Sequence, residues 1–98
     1  MEFNIKSSTL NSEYEYKDTG IIVQGSFVKD AVSGNLQSIS GSCYRNNAGQ
    51  LGDYFGNFNG YPQGDDIAYD LSQMKRSDST LVWNAIDDIE GEILPVDD

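Results

Sequence analysis

The stretch IIVQGSFVK, residues 21–29, decides the fold of this chain together with LQSISGSCYR, residues 36–45. In the first stretch Ile21, Val23 and Phe27 occupy one face of a strand, and polar residues occupy the other. In the second stretch serines alternate with apolar or small residues, and turn-forming residues separate the two stretches. The pair predicts an antiparallel hairpin with one buried face and one hydrated, serine-lined face.

The flanking segments extend this pattern into a larger sheet. A turn signal, NNAGQ, leads into residues 51–61, where Tyr54 and Phe58 are expected on one face and Phe55 on the other. Residues 67–74, IAYDLSQM, alternate as in a strand but also fit helical spacing, and we favour a strand. At the N-terminus FNI and YEY are alternating fragments that predict one added edge strand.

The C-terminal quarter predicts one helix. N-cap candidates in SDST precede an apolar stripe with spacings of four, three and four residues: Val82, Ile86, Ile89 and Ile93. Gly91 and the acidic residues around it predict an early end, so the helix is expected over roughly residues 80–90. Trp83 adjoins the stripe and is expected to be buried between helix and sheet.

These elements predict an α+β fold. Residues 1–98 form a single domain, in which an antiparallel four- to five-stranded curved β-meander carries one C-terminal helix packed on the sheet. Gly25, Gly41 and Gly56 fall near the middle of three strands, where glycine marks a bend, a bulge or a close approach of backbones.

The net charge of −10 is unevenly distributed. Residues 1–49 hold five acids and four bases, whereas residues 50–98 hold eleven acids and two bases. Such a field repels phosphate backbones, which argues against direct nucleic-acid binding, and it favours docking onto a basic protein. Plain solubility is the alternative reading of the same charge.

Composition also bears on compartment and chemistry. No window reaches the roughly 18–20 apolar residues of a membrane helix, and the N-terminus lacks a basic region followed by an apolar one, so we expect no membrane association and a cytoplasmic location. Cys43 is the single cysteine and is expected to be a buried thiol. The chain has no histidine, so we expect neither an enzyme nor a cofactor nor a metal site.

Two candidate sites follow. The first is an acidic docking surface for a basic partner, formed by Asp65, Asp66, Asp70, Asp87, Asp88, Glu90 and Glu92. The alternative is a small-molecule or glycan-binding cluster of aromatic rings and amides, formed by Tyr44, Tyr54, Phe55, Asn57, Phe58, Asn59 and Tyr61.

Three short segments, SGSCYRNNAG, IAYDLS and IDDIEGEI, occur in an order that is similar to half of a cyanovirin-type lectin repeat. That resemblance would imply a glycan-binding sandwich. The paired cysteines of those lectins are missing here, since Cys43 stands alone, and no family assignment is made on these fragments.

Overall fold

The computed structural model describes residues 2–5, 11–29, 35–64 and 66–93. Within these ranges six strands form one antiparallel sheet whose spatial order equals the chain order, and one α-helix follows the last strand after a single 3-10 turn, Arg76–Asp78. The strands are β1 (Glu2–Ile5), β2 (Asn11–Asp18), β3 (Ile21–Lys29), β4 (Leu36–Asn47), β5 (Gln50–Gln63) and β6 (Asp66–Ser72), and the helix is α1 (Ser79–Ile93). Among the described residues no helix has the length and apolar character needed to cross a membrane.

The predicted α+β meander with a C-terminal helix is confirmed, but the predicted number of strands is too low. The fragments FNI and YEY belong to two separate strands, β1 and β2, which pair with each other. The pairing brings Phe3 of β1 onto Tyr14 of β2, with ring centroids 5.6 Å apart and planes inclined by 23°. The two fragments therefore form two strands: β1 lies at the edge of the sheet, and β2 lies between β1 and β3.

Residues 67–72 of the ambiguous segment form a strand, as favoured from their alternation, and Gln73 and Met74 lie beyond its end. Ile67, Tyr69 and Leu71 pack against the core, and the residues between them are exposed. The helix is longer than expected, because it continues through Gly91 to Ile93. Burial of Ile93 in the hydrophobic core stabilises this last turn despite the glycine.

One face of the sheet carries the core. Tyr14, Tyr16, Val23, Ile39 and Phe58 are among the side chains that this face buries. The helix contributes its apolar stripe, and the buried residues of α1 are Val82, Ala85, Ile86, Ile89 and Ile93. The expectation that Trp83 is buried between helix and sheet is wrong, because 43% of this residue is exposed.

The paired glycines Gly25 and Gly41 mark a place where core side chains lie directly on the backbone. A Cβ atom on Gly25 would lie 2.0 Å from the carbonyl oxygen of Ser40, and one on Gly41 would lie 2.6 Å from the ring of Phe58. The hydroxyl of Tyr14 reaches across Gly25 and donates a hydrogen bond of 2.8 Å to that same carbonyl. Glycine is required here by close packing against aromatic neighbours.

Candidate functional site

The face of the sheet opposite the helix bears polar side chains in register. Antiparallel pairing sets residues of neighbouring strands side by side, so this open face carries two rows of uncharged hydrogen-bonding groups. The first row is Ser26, Ser40 and Asn59, and the second row is Gln24, Ser42 and Asn57. A shallow depression of about 300 Å³ lies over the two rows.

Tyr44 and Tyr54 lie together at one end of this open face. They are paired across β4 and β5, with ring centroids 5.7 Å apart, and Asn57 donates a side-chain hydrogen bond to the hydroxyl of Tyr54. A β-bulge between Cys43 and Tyr44 inserts an extra residue, Phe55, on β5. The bulge shifts the alternation of β5 by one residue, so Tyr54 shares a face with Asn57.

Because of this bulge, the aromatic cluster is arranged differently from what the sequence predicts. Phe58 is only 1% exposed and belongs to the core, and Phe55 packs at the margin of the core with the guanidinium of Arg45 4.1 Å from its ring centroid. Tyr54 and Phe58 therefore lie on opposite faces of the sheet, whereas simple alternation predicts that they share one face. Asn59 lies on the open face, and Tyr61, two residues further along β5, is 55% exposed.

The acidic candidates fall on two sides of the molecule. Asp66 and Asp70 lie on β6 with their side chains toward the open face, since Asp70 pairs with Asn59. The other described members lie on the helix, which packs on the opposite face: Asp87, Asp88, Glu90 and Glu92. Asp65 lies outside the described residues. The described acids therefore do not form one continuous patch.

The four acids of the helix have different surroundings. Asp88 accepts a hydrogen bond of 2.7 Å from the hydroxyl of Tyr16 on β2. Glu90 accepts one of 2.9 Å from the hydroxyl of Tyr69 on β6. Asp88 and Glu90 thus fasten the helix to two well-separated strands. Glu90 is half-buried, and Asp87, Asp88 and Glu92 are exposed. A third polar link holds the 3-10 turn that precedes the helix. The guanidinium of Arg45 on β4 donates two hydrogen bonds of 3.0 Å to the carboxylate of Asp78 in this turn.

Trp83 and Tyr69 form an aromatic pair beside these carboxylates. The two rings meet edge to face, with centroids 5.5 Å apart and an angle of 89° between their planes. Burial, the hydrogen bond to Glu90 and the nearby charges of Glu90 and Asp87 raise the pKa of Tyr69, so its hydroxyl remains a donor. We call Trp83, Tyr69, Asp87 and Glu90 the Trp83 surface.

The sequence contains a signal for this surface that the apolar stripe obscured. Trp83 follows Val82, so it lies about 100° around the helix from the buried stripe. Asp87 and Glu90 follow Trp83 by four and seven residues, which places all three along one side of the helix. A tryptophan outside the stripe, in line with two acids, indicates a surface position.

The thiol of Cys43 and the described carboxylates are the remaining reactive groups. Cys43 is fully buried, as expected, and burial raises the pKa of its thiol to about 12, so it is a poor nucleophile. In the described part of the chain no group of three or more acidic, cysteine or histidine side chains has the proximity needed to hold a metal ion.

Comparison of the chain with models of known protein families, with curated proteins and with solved structures found no match. The described sheet is single, with the helix on one face, and so lacks the second sheet that the lectin-like fragments had implied.

Proposed function

We propose that this protein is a non-enzymatic interaction module that docks a basic surface of a partner protein on the Trp83 surface. The observation that carries the proposal is the exposure of Trp83, at 43%, on a helix that contains four carboxylates and neither lysine nor arginine. Tryptophan is strongly enriched among residues that dominate binding energy at protein interfaces. Its acidic surroundings make a basic side chain the matching partner.

An arginine of the partner fits this surface in two ways at once. Its guanidinium stacks on the face of an indole ring by a cation–π contact, and it also forms paired hydrogen bonds with a carboxylate such as Asp87. The net charge of −10 adds long-range attraction, which raises the rate of encounter with a basic protein. Asp66 and Asp70 contribute to this field from the other face.

The test measures binding of a fluorescein-labelled arginine hexapeptide by fluorescence anisotropy at low salt. Trp83→Ala should weaken binding about tenfold, because a partly desolvated cation–π contact is worth on the order of 1–2 kcal/mol. Asp87→Asn should weaken it as well. Asp87 is chosen because it carries no structural hydrogen bond in the described contacts, unlike Asp88 and Glu90.

The matched control is Asp53→Asn, which removes the same charge from an exposed position on β5. It should reduce affinity much less than Asp87→Asn. If Asp87→Asn and Asp53→Asn weaken binding equally and Trp83→Ala has no effect, the peptide responds only to net charge and the proposed surface is wrong.

A second candidate function uses the open face of the sheet. Six uncharged hydroxyl and amide side chains stand there in two registered rows. The exposed tyrosines Tyr54 and Tyr61 lie on β5, on either side of the two rows. Amides and hydroxyls match the hydroxyl groups of a neutral sugar, and tyrosine rings stack on sugar rings. This observation favours a neutral oligosaccharide as an alternative ligand.

Cellohexaose and maltohexaose serve as probes of this alternative. An oligosaccharide bound on the open face should broaden or shift the side-chain amide resonances of Asn57 and Asn59 in NMR spectra, and Tyr54→Ala should abolish the effect. Spectra that are unchanged at millimolar oligosaccharide would remove these neutral glucans as ligands of the face.

A further inference from the structure

The last strand leaves one edge of the sheet unpaired. Within the described ranges β6 pairs only with β5, and its outer side meets no strand. The N–H group of Ile67 bonds the side chain of Asp66 at 2.8 Å, and its cross-strand neighbour Pro62 has no N–H group. Because backbone directions alternate along an antiparallel ladder, Tyr69 and Leu71 direct their N–H and C=O groups outward together with Ile67.

This edge separates the two groups of acids. Asp66 and Asp70 project on the open-face side of β6, while Asp87 and Glu90 lie on the helix side, beside the ring of Trp83. Successive side chains of a strand point to opposite faces of a sheet. The side chains of a strand added along β6 would therefore lie alternately near Asp66 and Asp70 on the open face and near Asp87 and Glu90 on the helix side.

We propose that β6 binds an extended, basic segment of the partner as a seventh strand of the sheet. The inference rests on the proposed function and specifies the conformation of the segment that docks. Unpaired edges commonly accept a strand from another chain, which supplies main-chain hydrogen bonds. The Trp83 surface then receives the basic side chains on one face of the added strand, and Asp66 and Asp70 receive those on the other.

Charge selects this occupant over a second copy of the same chain. Pairing of two β6 strands would bring Asp66 and Asp70 of each copy toward the carboxylates of the other, and like charges opposite one another destabilise a sheet. A segment rich in arginine and lysine instead meets opposite charge on both faces. The acids that protect the edge from self-association thus leave it open to a basic strand.

The test follows amide hydrogen exchange of the isotope-labelled full chain by NMR, with a peptide of three Thr-Arg-Lys repeats as the probe. This repeat places basic side chains on both faces of an extended strand. Saturation with the peptide should slow exchange of the outward amides of Tyr69 and Leu71 by about tenfold or more, since they gain hydrogen-bond partners. The amides of Ala68 and Asp70, which already face β5, should change little.

The same peptide methylated on every backbone nitrogen is the matched control, because it keeps the charge and loses the donors that a ladder requires. Weaker binding of the methylated peptide, with protection of Tyr69 and Leu71 by the unmethylated one, supports strand addition. Equal binding of both peptides without protection overturns strand addition and leaves the proposed function standing. Failure of both peptides to bind at low salt contradicts the proposed function as well. Protection that increases with protein concentration alone would assign the edge to a second copy and overturn the inference.

Discussion

The ring of Tyr69 connects Trp83 to the core: it lies 5.5 Å from the indole and 6.1 Å from the ring of Phe58, centroid to centroid, and meets both edge to face. Its hydroxyl is held by Glu90 at 2.9 Å. Phe58 is fully packed, so the position of the exposed indole is set by a chain of contacts that begins inside the protein. A ring held in place loses little conformational entropy when a partner binds, which favours affinity.

This arrangement predicts a contrast between two neighbouring helix positions. Trp83→Ala should lower the free energy of unfolding by about 1–2 kcal/mol, because it removes a half-exposed ring and one aromatic pair. Ile86→Ala should cost more, about 2–5 kcal/mol, because Ile86 is fully buried in the interface between helix and sheet. Urea denaturation of the two variants measures both changes. The reverse order would mean that Trp83 anchors the helix.

Alkaline pH should destabilise the fold through its buried phenols. Burial raises the pKa of Tyr14 and, together with the hydrogen bonds to Asp88 and Glu90, the pKa values of Tyr16 and Tyr69 above the ordinary value of 10.0. The folded protein therefore holds these protons more tightly than the unfolded chain does. Their stabilisation is complete below pH 10 and is lost as the pH rises toward the pKa values of the folded state.

The measurement is the urea midpoint as a function of pH. Cys43 also contributes to this loss of stability, and its contribution begins at a lower pH, because burial raises its pKa from 9.0 to about 12. Tyr69→Phe removes one titrating group, so its stability should fall less steeply above pH 10 by up to about 1.4 kcal/mol per pH unit. A midpoint that stays constant through this range, or an unchanged slope in Tyr69→Phe, would contradict the assignment.

Two glycine substitutions should act in opposite directions. Gly91→Ala should stabilise the protein by roughly 0.5–1 kcal/mol, because Gly91 lies inside α1 and a Cβ there meets no atom within 4 Å. Gly25→Ala should destabilise it severely, because the new carbon would collide with the backbone of β4. Thermal melting of both variants checks the pair. Destabilisation by Gly91→Ala would show that the helix ends before this residue.

Much of the fold could be predicted from the sequence, because hydrophobic alternation is local. The alternation of Ile21, Val23 and Phe27 predicts β3, and that of Ile67, Tyr69 and Leu71 predicts β6. The number of strands was harder to predict, since a short alternating fragment such as FNI becomes a strand only when another strand pairs with it.

The candidate sites depended on features that the sequence expresses weakly. The bulge that inserts Phe55 reverses the face of Tyr54, and a bulge depends on how two strands pair rather than on the residues of one strand. The roles of Asp88 and Glu90 depend on tyrosines 72 and 21 residues away in sequence. Composition revealed the excess of acid in the second half, but not which carboxylates already hold hydrogen bonds.

Docking of a basic partner on the Trp83 surface is tested by the response of the Trp83 indole N–H resonance to the arginine hexapeptide in NMR spectra. The chain has a single tryptophan, so this resonance is unambiguous. We expect the indole resonance and the backbone amides of Asp87 and Glu90 to shift most, and the shifts to shrink as salt is added. Larger shifts at the side-chain amides of Asn57 and Asn59, with the indole resonance unmoved, would contradict the claim that the Trp83 surface is where a basic partner docks.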